Sequence, residues 1–126
     1  MKTMIKKIEA IIRTDKFEDV KKALSEIGIV GLNTFPVRGR GRGKGMVVQG
    51  RTGKYTIDML PRTQINIILS ERNVKATVDV IKKAAYSGDS GDGVIFVLPV
   101  DNVIRISSGE EGADALMYQG DIDSKK

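Results

Sequence analysis

Residues 94–100 read Val94-Ile95-Phe96-Val97-Leu98-Pro99-Val100. Apolar side chains at consecutive positions are the mark of a strand covered on both faces, since a strand with one wet face alternates. The stretch just before it, Ser87-Gly88-Asp89-Ser90-Gly91-Asp92-Gly93, is dense in turn formers and sets where the strand begins. We read the strand from Val94 to about Ser107. The chain has 126 residues, one ordinary domain and too few residues for two. A domain of that size has little of its own chain to cover a second sheet face. Cover by another copy, and therefore an oligomer, is expected from this run alone.

Working back from the turn, Val74, Val78, Ile81 and Ala85 fall at helical spacing, after Ser70 or Asn73 as cap and before Gly88 as stop. Before that helix, Ile65, Ile67 and Leu69 alternate in a strand read from about Ile57 to Leu69, where Pro61 suggests a bulge or an edge. At the chain start Ile8, Ala10 and Ile12 alternate with Lys7, Glu9 and Arg13, with Ile11 breaking the pattern as on a strand covered on both faces. Asp15 and Glu18 have the spacing of a capping box for a helix carrying Phe17, Val20, Leu24 and Ile27, ended by Gly28. A strand is predicted from about Val30 to Gly41, followed by a long mobile loop over about 42–56. The order is βαββαβ. The expected class is α+β, ferredoxin-like: a four-stranded antiparallel sheet with two helices on one face. Residues 1–116 form the domain and 117–126 a polar C-terminal tail; the chain after Ser108 is polar and acidic and is expected to be partly mobile.

Charge is unevenly placed. The formal net charge is +5, yet no acidic residue lies between Glu26 and Asp58, a window holding Arg38, Arg40, Arg42, Lys44, Arg51 and Lys54. With no Cys and no His, thiolate chemistry, Cys-based zinc sites and the commonest general base are excluded. A binding protein is a better expectation than an enzyme. No apolar stretch is long enough for a signal peptide or a membrane span, so a cytoplasmic location without membrane insertion is expected.

Two segments suit an anion. One is Arg38-Gly39-Arg40-Gly41-Arg42-Gly43-Lys44-Gly45; the other is Gly91-Asp92-Gly93. Glycines let backbone N–H groups approach a ligand, and arginines add charge-assisted bonds to phosphate. Neither segment is a Walker A loop or a Rossmann fingerprint. A basic module binding RNA or another polyanion through the Arg-Gly run is the alternative reading, although no aromatic is interleaved for base stacking. DNA is not an expected partner.

The strand Lys7–Arg13, the run Gly39–Gly45, Asp58-Met59-Leu60-Pro61, the stretch Gly91–Val100 and Val103-Ile104-Arg105-Ile106 together resemble the PII signal-transduction proteins, from about Met4 to Leu116. The resemblance implies a homotrimer that binds ATP or ADP in clefts between subunits. It also implies a long T-loop, here about 42–56, that reports the ligand state to a target enzyme or membrane transporter. By the same resemblance the phosphates are approached by Gly39, Gly41 and Arg42, by Gly91, Asp92 and Gly93, and by Arg105. Arg40 adds a cation, and Asn33 and Ile68 line the adenine. Tyr55 matches the T-loop tyrosine that is modified in some bacteria.

Three positions depart from the family. Its lysine after Gly-Asp-Gly is Val94, its second late arginine is Ser107, and the glutamine that ligates magnesium is Gly43. Glycine has no side-chain oxygen for a hard cation. Magnesium-dependent 2-oxoglutarate binding is therefore not expected, even though Arg62, at the place of the family's pocket lysine, can attract a carboxylate.

Overall fold

The computed structural model describes residues 4–41, 46–57 and 59–124. Six strands and two α-helices follow in the order β1 (Ile5–Ile12), α1 (Phe17–Glu26), β2 (Asn33–Gly39), β3 (Met46–Gly50), β4 (Gly53–Ile57), β5 (Leu60–Ser70), α2 (Val74–Ala85) and β6 (Gly93–Val100). The main sheet has four strands in the order β2-β5-β1-β6, all antiparallel. This is the ferredoxin-like arrangement expected from the element order.

The core lies between the sheet and the helices. Ile8, Ala10 and Ile12 of β1 and Ile65, Ile67 and Leu69 of β5 alternate toward Val20 and Leu24 of α1 and Ile81 of α2, all fully or almost fully buried. Burying each such aliphatic side chain contributes about 1.5–3 kcal/mol before ordering entropy is subtracted. The period-2 pattern on the strands and the 3.6 pattern on the helices meet on this one layer.

Pro61 sits on a central strand, paired with Arg38 of β2, but β1 reaches only to Thr63 on the other side. The missing N–H therefore leaves no gap in the β1 ladder, and no bulge is required.

Five expectations are corrected. Asp15 does not cap α1. The helix begins at Phe17 after a 3-10 turn, and Asp15 accepts from Arg13 instead. Neither Ser70 nor Asn73 makes a side-chain cap bond to its helix. The segment 42–56 is not all loop: β3 and β4 form a hairpin, with Gly50 opposite Gly53 around Arg51-Thr52. Its Val47-Val48 and Tyr55-Thr56-Ile57 runs carry enough β-branched and aromatic residues to pair, and Gly53, at φ 127°, supplies a backbone angle that other residues rarely adopt. The last strand stops at Val100 and not near Ser107; beyond it only Ile104 bridges to Glu111.

Fifth, the described chain after Ser108, residues 109–124, is packed rather than loose. Ala115 and Leu116 are buried, and so are Asp121 and Asp123. Asp121 accepts from the Val30 N–H at 3.1 Å. The Asp123 carboxylate accepts from the Ser70 N–H at 3.2 Å and from Asn73 Nδ2 at 2.7 Å. The Ile122 N–H donates to the Gly28 carbonyl at 2.7 Å. Acidic residues that look solvated in sequence are here acceptors for backbone N–H groups at the ends of neighbouring elements.

Candidate functional site

Gly91-Asp92-Gly93 forms a tight turn from a 3-10 helix into β6. The Asp92 carboxylate points back into that turn. It accepts from the Ser87 hydroxyl and from the N–H groups of Ser87 and Gly88, and these bonds, the Ser87 hydroxyl foremost, hold it below the usual carboxylate range. Gly93 has φ 112° and ψ −164°, a glycine-only region. A Cβ there would overlap the Ile11 carbonyl.

Two arginines stand beside the turn. An atom at the Cβ position of Gly91 would lie 3.0 Å from Arg62 Nη2, so Arg62 of β5 covers that glycine. Arg13, at the end of β1, reaches Asp89 at 3.8 Å and Asp15 at 3.3 Å. Gly39 closes β2 opposite Leu60, so Gly39, Arg40 and Gly41 leave the sheet at the same end as Arg62 and Gly93. Arg42 and Gly43 lie outside the described residues. Tyr55 lies within β4 opposite Val48.

The remaining expected positions are elsewhere. Asn33 opens β2 opposite Asn66, whose amide donates to it at 3.0 Å. Ile68 lies two residues beyond Asn66 on the same face and is partly exposed. Arg105 is beside Tyr118, its guanidinium carbon 4.2 Å from the ring centroid, and its Nε donates to the Ala115 carbonyl at 2.9 Å. Along β5, Arg62 and Ile68 are ~20 Å apart at ~3.3 Å per residue. One chain therefore presents two groups of expected site residues at two places, not one assembled cleft. A cavity of about 510 Å³ does exist, between α2 and β6, but Val78, Ile81, Ala85, Tyr86, Ile95 and Val97 make it apolar.

The sheet face away from the helices is uncovered in the single chain. Phe35, Ile68, Val94, Phe96 and Leu98 are each at least one-third exposed there. Between them runs a polar ladder: Lys7 to Glu9 at 3.1 Å, Gln64 to Glu9 at 3.4 Å, Gln64 to Asn66 at 2.9 Å, then Asn66 to Asn33.

Residues 5–110 match the model of the family described as nitrogen regulatory protein P-II. The chain belongs to that family. It is 43% identical over 112 residues to a nitrogen regulatory protein P-II of Azospirillum brasilense, covering 89% of this chain and all of that protein. It is 46% identical over 116 residues to P-II 1 of Methanothermobacter thermautotrophicus, covering 92% of this chain and all of that one. The crystal structure of Arabidopsis thaliana PII bound to citrate superposes with a TM-score of 0.73 at 34% identity, over 90% of this chain and 92% of that one. PII proteins are regulatory signal transducers. Among the described residues no helix is long and apolar enough to cross a membrane.

Tyr118, Asp121 and Asp123 are not among the residues to which the sequence assigns a role. The available signal was an aromatic at 118 and an isoleucine at 122 in a mostly polar tail; Ile122 packs against the core, and the partly exposed Tyr118 ring lies under the Arg105 guanidinium.

Proposed function

We propose that this chain is a non-catalytic sensor of adenine nucleotides, assembled as a homotrimer, that regulates a target enzyme or membrane transporter through residues 42–56. One observation carries the nucleotide reading: the expected site is divided within the chain. The glycine turn with Arg62, together with Gly39–Gly41, lies at one end. Asn33, Ile68 and Arg105 lie apart from them. A ligand touching both groups needs the turn of one subunit beside Arg105 of the next.

The open sheet face supports the assembly. Its exposed Phe35, Val94, Phe96 and Leu98 are apolar surface suited to burial between copies, and the ladder from Lys7 to Asn33 supplies polar groups for pairing. Among the described residues the β3–β4 hairpin pairs with itself and not with the main sheet, which suits a segment offered to a partner.

The role expected of Asp92 is indirect. Its carboxylate shapes the turn, so the backbone N–H groups and Arg62 are what a phosphate meets. Magnesium-dependent 2-oxoglutarate binding is absent in this reading, because Gly43 offers no ligand oxygen. The sensor then reads ATP against ADP. Calorimetry with ATP, ADP and AMP, with and without magnesium and 2-oxoglutarate, tests this. Nucleotide binding without 2-oxoglutarate binding is expected, with Gly43→Gln raising the affinity for 2-oxoglutarate. RNA binding with a steep salt dependence and no nucleotide binding would favour the polyanion reading instead.

A further inference from the structure

Residues 112–124 lie beyond the stretch matched by the family model, 5–110, yet they are firmly held. Asp121 and Asp123, 6% and 4% exposed, take N–H bonds from Val30 and Ser70, and Arg72 Nη2 donates to the Asp123 carbonyl at 2.7 Å. Between these anchors and the short helix Gly112–Leu116, Tyr118 is placed in a particular way. One part of its ring lies on Gly31, where an added Cβ would be 3.6 Å from Cε2, Cζ and Oη. The guanidinium of Arg105 stacks over the ring, with its carbon 4.2 Å from the centroid.

We propose that residues 112–124 form a strap that positions Arg105, with Tyr118 as the positioning residue, so that its outer nitrogens are presented to nucleotide phosphate. The inference rests on the nucleotide reading given above. The geometry leaves the useful donors open. Nε is engaged by the Ala115 carbonyl and the plane by the ring, while Nη1 and Nη2 make no hydrogen bond among the described residues. A free arginine side chain would lose most of its rotamer freedom on gripping a phosphate. One already fixed at Nε and stacked loses less, so its bonds contribute more to affinity. Gly31 lies directly beside the ring, since a Cβ there would already be in van der Waals contact with it. Gly31 also lies two residues before Asn33, so the strap joins the two elements that carry Arg105 and Asn33.

The test is a double-mutant cycle on the full chain, read by ATP calorimetry. Tyr118→Ala should weaken ATP binding about three- to fivefold, the size expected for one partly exposed cation–π contact. Tyr118→Phe, which keeps the ring, should bind as the wild type does. In an Arg105→Ala background, Tyr118→Ala should have no further effect. Nε–H exchange of Arg105 by NMR should quicken in Tyr118→Ala without ligand. If Arg105→Ala weakens binding and Tyr118→Ala does not, the strap is refuted and the nucleotide reading stands. If Tyr118→Ala weakens binding equally with and without Arg105, the ring acts by another route and the proposal fails. If Arg105→Ala itself changes nothing, the assignment of Arg105 to the nucleotide site fails and takes this proposal with it.

Discussion

Gly93 opens β6 directly against β1, so close to Ile11 that a Cβ would fall on the Ile11 carbonyl oxygen. This glycine is demanded by the sheet before any ligand is considered. Gly93→Ala should lower stability by about 3 kcal/mol or more, from backbone strain and the clash together. Urea unfolding measures it. A variant within about 0.5 kcal/mol of wild type, the usual effect of a surface substitution, would contradict the geometry. Loss of ligand binding in Gly93→Ala therefore says little about direct contact.

Gly91 makes the better probe of the site. A Cβ there meets only the far end of Arg62, at 3.0 Å, and that side chain can move. Gly91→Ala should keep wild-type stability within about 0.5 kcal/mol while displacing Arg62 and weakening nucleotide binding. Thermal unfolding and calorimetry on the same sample separate the two effects.

Much of the main sheet was legible because its patterns are local. Ile8, Ala10 and Ile12 alternate, and Val74, Val78 and Ile81 recur at helical spacing, so each element declares its own buried face. The hairpin was not legible, because the glycines of the Arg-Gly run merge with Gly50 and Gly53 and obscure the short β-branched segments between them. The caps misled for a different reason: a 3-10 turn over Thr14–Lys16 precedes α1, so Asp15 sits inside that turn and pairs with Arg13. Of the candidate site, the glycine turn could be read from sequence. The placement of Arg105 under Tyr118 could not, since it depends on tertiary packing of a segment whose acidic residues resemble a solvated tail.

The Asp92 carboxylate gives the glycine turn a pH dependence. Its bonds from Ser87 and Gly88 lower its folded pKa below the ordinary value, so the unfolded chain binds the proton more readily. The stabilisation is fully present above an ordinary Asp value of ~3.9 and is lost as pH falls through the lower folded value. Hydrogen exchange at the Ser87 and Gly88 amides should accelerate over that acid range. In Asp92→Asn it should already be fast at neutral pH.

The buried Asp123 carboxylate anchors the tail to the start of α2. Asp123→Ala leaves the Ser70 N–H and the Asn73 amide without their acceptor and should destabilise by about 2–4 kcal/mol. Asp114→Ala, in the same tail but with no side-chain bond among the described residues, should change stability by less than about 0.5 kcal/mol. Paired thermal melts give the comparison, and equal losses in the two variants would remove the anchoring role.

Phe96 tests the assembly. It is 48% exposed on the open sheet face, opposite Glu9. Phe96→Asp adds a second carboxylate there and should convert the proposed trimer to monomers with the fold retained. Light scattering reports the mass and circular dichroism the fold. A wild-type protein that is monomeric at micromolar concentration would rule the trimer out.

The proposed nucleotide cleft is shared between subunits, with the Gly91–Gly93 turn from one and Arg105 from its neighbour. Subunit complementation tests it most directly. Gly91→Glu and Arg105→Ala chains are prepared separately and then co-refolded, and ATP binding is measured by calorimetry on each homomer and on the mixture. Each homomer should bind ATP poorly. The mixture should regain sites of wild-type affinity, because some clefts then combine an intact turn with an intact Arg105. A mixed trimer that binds ATP no better than either parent would contradict the shared cleft.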